Sequence, residues 1–291
     1  KNWNIAVNML RIRSEGFYQK QNCSTNNLSF STNYKSKNNR YGLLANAVFS
    51  SVKSDENGGI SDDLDFEEGG LITKQQIQVT LDNAKTRRGS RSVYVNHFLN
   101  FGKKKRIIKG DSVISFKVTP KSALSLSTSF KDSWFVYEDN FPQSGFYQNV
   151  IYDTVKTLDS TWILNLDNKI KWKYFAGKWT GWIYYQNSIN SVYNKLERDS
   201  LMMNHMAGFS FQNNAKWKYN AEGEYIVDGT NKNDFFLNGS ITGKISERAF
   251  LSFAGRSLEK SPSYIFTKYS SNHFQWITTF SKIIETNFAV K

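Results

Sequence analysis

The chain has 291 residues, room for one large all-β domain or two ordinary ones, and a net charge of +13. Hydrophobic residues make up 39% and aromatic residues 15%, with 18 Gly and only 3 Pro. No run approaches about 18 apolar residues, which excludes a transmembrane helix, and the lone Cys23 excludes an internal disulfide or a cysteine metal site.

Few prolines and many aromatics suit strands, because Pro cannot donate to a ladder and aromatic rings fit a pleated surface. Trp3, Ile5, Val7 and Met9 alternate with polar or small residues and predict a first strand, followed by a polar loop over 14–25. A second strand is predicted over 26–35, a turn at Lys37-Asn38-Asn39, and a third strand from Tyr41 to Phe49. Residues 54–70 read as a long acidic, Gly-rich loop, 76–82 as a strand, and 83–90 as a basic turn. A strand over 92–101 leads into a Lys-rich loop over 102–110, a strand over 113–118, a turn at Thr119-Pro120-Lys121 and a strand over 124–131. Residues 133–160 read as a long aromatic connection.

Trp162 to Tyr174 is the clearest stretch. One face carries Trp162, Leu164, Leu166, Asn168, Ile170, Trp172 and Tyr174, and the other Ile163, Asn165, Asp167, Lys169, Lys171 and Lys173. Trp162 and Trp172 are ten steps apart, roughly 33 Å at about 3.3 Å per residue. Tilted by about 45°, that spacing approaches the ~25 Å apolar band between aromatic girdles of an outer-membrane barrel. Strands follow over 179–193, from Met203 to Phe211, from Trp217 to Val227, from Phe235 to Ile245 and from Ala249 to Gly255, with a loop over 194–202. Two last strands are predicted near 274–280 and 287–290, about fifteen in all.

Connections alternate long and short. An antiparallel up-and-down transmembrane β-barrel, with long extracellular loops and tight periplasmic turns, gives that alternation; a Greek-key sandwich gives no reason for it. The whole chain, 1–291, reads as one such domain. An odd strand count would leave the C-terminus at the extracellular end, opposite the start of the first strand, and the chain ends at Ala289-Val290-Lys291 without a terminal aromatic; the expectation is either a barrel lacking at least one strand in this sequence or a count wrong by one.

No catalytic residue, metal or cofactor is expected. His97, His205 and His273 are widely separated and read as girdle or hydrogen-bonding residues, and no G-x-S-x-G, H-E-x-x-H or P-loop is present. The acidic stretch Asp55, Glu56, Asp62, Asp63, Asp65, Glu67 and Glu68 reads as a solvated loop in preference to a calcium site. Gly58-Gly59 reads as a turn with positive φ. The basic residues lie along strands and in short turns, with no recognition helix, which argues against nucleic acid.

With apolar faces toward lipid, Lys35, Lys131, Asp167, Lys169, Lys171, Lys173, Lys218, Glu222, Glu224, Lys244 and Arg256 become lumen-lining candidates. Trp162, Trp172, Tyr174, Trp217, Tyr219 and Tyr225 become membrane-girdle candidates. The expected function is a porin-like channel for passive diffusion of small hydrophilic solutes, with weak anion preference from the basic excess. The expected partners are the lipid bilayer, those solutes and other outer-membrane proteins. The second reading is a non-conducting barrel, filled by paired charges and by Trp134, Phe135 and Tyr137, that serves as a structural or docking subunit. The third is a soluble carbohydrate-binding β-protein.

Tyr41-Gly42-Leu43-Leu44-Ala45-Asn46, then Glu56-Asn57-Gly58-Gly59-Ile60, then Val79-Thr80-Leu81-Asp82-Asn83-Ala84, resemble the putative porin family of Bacteroidota, large outer-membrane β-barrel proteins. The motif-like similarity covers the first third of the chain. The resemblance implies an outer-membrane location and a transport role.

Overall fold

A computed structural model describes residues 2–63, 73–109, 112–194, 197–247 and 249–291. The strands are β1 (Trp3–Ser14), β2 (Cys23–Lys35), β3 (Tyr41–Glu56), β4 (Ala84–Lys109), β5 (Ser112–Asp139), β6 (Thr157–Ala176), β7 (Trp179–Asn194), β8 (Glu197–Asn213), β9 (Trp217–Gly229), β10 (Phe235–Lys244), β11 (Phe250–Lys260), β12 (Lys268–Ser270), β13 (Gln275–Ile277) and β14 (Ile283–Val290). One four-residue helix, α1 (Tyr264–Thr267), precedes β12.

Twelve strands form one sheet in the order β1 to β11 and then β14, each antiparallel to its neighbour. This is the expected up-and-down order. β12 and β13 form a separate hairpin inserted between β11 and β14. With twelve strands in the sheet, Trp3 and Val290 lie at the same end, which corrects the odd count and the opposite-end C-terminus.

That shared end carries the connections 36–40, 110–111, 177–178, 214–216 and 245–249 and is called the short-turn end below. The opposite, long-loop end carries 15–22, 57–83, 140–156 and 261–282, together with the shorter 195–196 and 230–234. The alternation therefore holds with two exceptions at the long-loop end: β7 runs to 194 and β8 begins at 197, where a loop over 194–202 was expected, and only 230–234 join β9 to β10.

Other boundaries also move. The basic turn over 83–90 and the Lys-rich loop over 102–110 are both strand, because β4 and β5 pair almost throughout their length. Ladder pairing on a partner outweighs the low strand propensity of a charged run. The turn at 119–121 is a register shift instead, with Pro120 opposite Gly102. The strand expected over 76–82 is reduced to one bridge, Ile60 with Val79. Ile77 and Leu81, within the connection between β3 and β4, are buried. The strand expected over 274–280 shrinks to β13.

Burial is the inverse of a water-soluble domain. Among the described residues only eight apolar side chains are buried, against seventeen polar or charged ones, while large apolar residues are exposed along nearly every strand. The Trp162–Tyr174 face is exposed at Trp162, Leu164, Ile170, Trp172 and Tyr174, while Asn165, Asp167, Lys169, Lys171 and Lys173 opposite are half-buried. The polar face is thus the enclosed one.

Candidate functional site

Strand register assigns every expected residue to a face. Lys35 opposes Gly42, Gly42 opposes Phe98, Phe98 opposes Ser125, and Ser125 opposes Lys171. The same register places Lys131, Asp167, Lys169, Lys173, Lys218, Glu222, Glu224, Lys244 and Arg256 on that one polar face. Trp162, Trp172, Tyr174, Trp217, Tyr219 and Tyr225 all lie on the opposite face, and all are exposed.

The aromatic residues of the apolar face meet across strands. At the short-turn end Trp3 packs on Tyr34 with ring centroids 5.5 Å apart, and Tyr34 on Tyr41 at 6.1 Å. Tyr41 continues to His97, with its hydroxyl 2.7 Å from Nδ1. Phe101 stacks on Trp172 at 5.6 Å, and Trp179 on Phe211 and Tyr219 at 4.8 and 6.2 Å. Trp217 lies directly over Gly243, where a Cβ would collide with the indole. Toward the other end Trp134 stacks on Trp162 at 5.7 Å. Trp134 is therefore on the outer, apolar face and not among residues filling the interior. Two aromatic rows, ten strand positions apart on β6, bound an apolar band.

On the polar face the three lysines of β6 form a ladder. Lys169 lies 4.2 Å from the centre of the Tyr184 ring, and Lys171 and Lys173 lie 6.0 and 5.1 Å from Trp182. These cation–π contacts hold the side chains flat along the wall. Tyr184 crosses over Gly208, where a side chain would collide with the ring, and donates to Glu224 at 2.5 Å. Asn238 donates to Glu222, and Asp167 accepts from Ser188 at 2.5 Å. Arg256 sits over Phe236 and beside Glu285 at 3.9 Å. The acidic residues are thus largely occupied by neutral donors, which leaves the lysine ladder as the dominant charge of this wall.

At the long-loop end the segment 270–273, from the last residue of β12 toward β13, reaches across four intervening strands from β11 to the connection between β5 and β6. Asn272 is its anchor. Its backbone N–H donates to Asp159 at 2.8 Å, its Oδ1 accepts from the Tyr152 and Asp153 amides, and its Nδ2 donates to the Asp153 carbonyl at 2.7 Å. His273 stacks flat on Tyr147 at 3.7 Å, with Nε2 2.6 Å from Thr157 Oγ1 and Nδ1 2.7 Å from the Asn149 carbonyl. Tyr147 donates to Asp139 at 2.8 Å, and burial together with its contacts to Tyr137 and Asp139 pushes its phenol well above the ordinary value. Ser270, Ser271, Asn272, Thr157 and Asp139 are among the most enclosed side chains of the described chain. The feet of this strap are clasped by Asp234, which accepts from Ser261 N–H and Oγ at 2.8 Å and pairs with Lys282 at 3.1 Å.

Beside the strap is a cavity of about 570 Å³, walled by Phe135, Tyr137, Phe146, Tyr147, Tyr269 and Phe274. Phe135 and Tyr137 thus do face inward, as the filled-barrel reading expected. The strap itself was missed, because Ser-Ser-Asn-His carries no motif and its partners lie more than a hundred residues away. His97 and His205 meet Tyr41 and Tyr185, as expected of hydrogen-bonding residues. Gly58 and Gly59 have φ of 67° and 95°, the expected turn. Asp65, Glu67 and Glu68 lie outside the described residues, and no group of three potential metal ligands occurs among those described. No described helix is long and apolar enough to cross a membrane.

No curated protein sequence matches the chain. A family model described as Putative porin matches residues 1–291, the whole of it. Its all-antiparallel architecture, its enclosed polar face and that match agree, and the chain belongs to the putative porin family.

Proposed function

We propose that this chain is the wall of an outer-membrane channel that passes small hydrophilic solutes by diffusion, with a weak preference for anions. The inverted sheet carries the reading: an exposed apolar band between two aromatic rows on one face, and an enclosed polar face on the other. Only lipid satisfies the first face without loss, and only water or polar solute suits the second. Of the eleven charged residues expected on the polar face, eight are basic and three acidic. Lys169, Lys171 and Lys173 lie in one row and attract anions by simple Coulomb focusing.

The strap favours a second reading. A segment that crosses to the β5–β6 connection and is buried there is placed to obstruct a lumen at the long-loop end. A barrel sealed by it serves as a structural or docking subunit of an envelope complex instead.

Single-channel recording of the purified chain in a planar bilayer decides between them. Stepwise conductance with a reversal potential on the anion side supports the channel. Cation-side reversal removes the anion preference, and a folded protein that inserts without conducting favours the sealed subunit.

A further inference from the structure

The hairpin between β4 and β5 runs past its neighbours at the short-turn end. β3 begins at Tyr41, opposite Leu99, and pairing of β5 with β6 stops at Ser122. Residues 102–109 and 112–120 therefore form ladder pairs only with each other. Beyond the Lys104–Val118 pair the ribbon carries five more residues of β4 and projects roughly 17 Å. Its root is fixed by the turn before β3: Val118 N–H donates to the Asn38 carbonyl at 2.8 Å, and Asn39 Nδ2 to the Val118 carbonyl at 2.9 Å.

This ribbon concentrates charge. Residues 102–121 hold seven Lys or Arg and one Asp, a net +6 out of the +13 of the whole chain. Lys103, Lys104, Lys105 and Arg106 are consecutive, so both faces of the ribbon are cationic. Lys105 and Lys117 stand directly opposite each other, a pairing that repels. Among the described residues Lys103, Lys104, Lys105, Arg106, Lys117 and Lys121 make no ion pair. A two-stranded ribbon is marginal in water by itself, and uncompensated like charge weakens it further. The exposed Ile107 and Phe116 are interleaved with the cations.

Position selects the counter-charge. Phe101, at the root, stacks on Trp172 in the aromatic row of the short-turn end. Such rows sit at headgroup depth. Lys103 to Arg106 follow within about 7–17 Å along the strand, within roughly one to two Debye lengths of the bilayer surface. We infer that the β4–β5 hairpin is a docking surface for anionic phospholipid headgroups of the leaflet at the short-turn end, with Lys103, Lys104, Lys105 and Arg106 binding their phosphates. The inference rests on the bilayer placement of the sheet and is independent of whether the barrel conducts.

The test is trypsin digestion of the full chain in nanodiscs, with cleavage after residues 103–106 followed by mass spectrometry. Phosphatidylcholine discs are compared with discs holding about 30% phosphatidylglycerol. Cleavage at these sites slows at least tenfold with phosphatidylglycerol, and 1 M NaCl restores it, while cleavage after Lys178 at the same end is unchanged. Native mass spectrometry then finds fewer retained phosphatidylglycerol molecules on the K103Q/K104Q/K105Q/R106Q variant than on the unaltered chain. Equal cleavage rates in the two discs overturn the proposal without any variant. Protection by soluble polyphosphate, with no effect of the disc lipid, overturns it in favour of a free polyanion. Failure to enter discs at all refutes the membrane placement itself, a separate result.

Discussion

Replacing Asn272 by Ala isolates the strap. The change removes the carboxamide oxygen that accepts the Tyr152 and Asp153 amides, at 3.0 and 2.9 Å, and the nitrogen that donates to the Asp153 carbonyl and Thr157 Oγ1. A buried group left without a partner costs about 1–3 kcal/mol. Tyr152 is 48% exposed, so water reaches part of the site and the lower half of that range applies to each of the two amides. The expected loss is about 3 kcal/mol, roughly a hundredfold in the local opening equilibrium. The twelve-stranded ladder contains none of these bonds, so global unfolding changes little. Hydrogen exchange followed by mass spectrometry reads both effects. Peptides covering 149–157 and 270–274 should exchange about a hundredfold faster in the variant, with those from β9 unchanged. Exchange within threefold of the unaltered chain at 149–157 refutes the strap as a hydrogen-bonded closure. In the channel reading the same variant also shows larger conductance steps.

Changing Lys169, Lys171 and Lys173 together to Gln shifts the reversal potential in a salt gradient toward cations; an unchanged value removes the ladder from the selectivity argument. Gly229 has φ of 120°, and a Cβ there would collide with the Met203 carbonyl, so Gly229→Ala costs about 1–3 kcal/mol, read as a lower denaturant midpoint. Tyr147 holds its proton in the fold beyond the pH at which an unfolded tyrosine loses it, so its contribution is complete below about pH 10 and declines above it. Tyr147→Phe flattens that alkaline decline in strap protection, and an identical slope in both proteins counts against the buried phenol.

Faces were legible in the sequence where lengths were not. A side-chain period of two survives whatever strand lies alongside, so Trp162 to Tyr174 declared one apolar and one charged face without knowledge of its partners. The girdle residues were legible for the same reason, since aromatic residues at both ends of an apolar run mark two interfaces. Strand ends depend on the neighbour. Residues 83–90 and 102–110 carry turn-like, basic composition, yet pairing with β5 draws them into β4. Residues 76–82 have strand-like composition, yet form a single bridge, Ile60 with Val79, and bury Ile77 and Leu81 within the connection between β3 and β4.

What the sequence by itself determined was the all-β class, the antiparallel up-and-down order, and which residues share the polar face. What only the tertiary structure decided was the strap at 270–273, the aromatic cavity beside it and the projection of the basic hairpin. Alternation is a local property of the backbone, fixed by the pleat of each strand. The strap and the cavity arise where residues more than a hundred positions apart satisfy each other's buried polar groups, and no local pattern encodes that meeting.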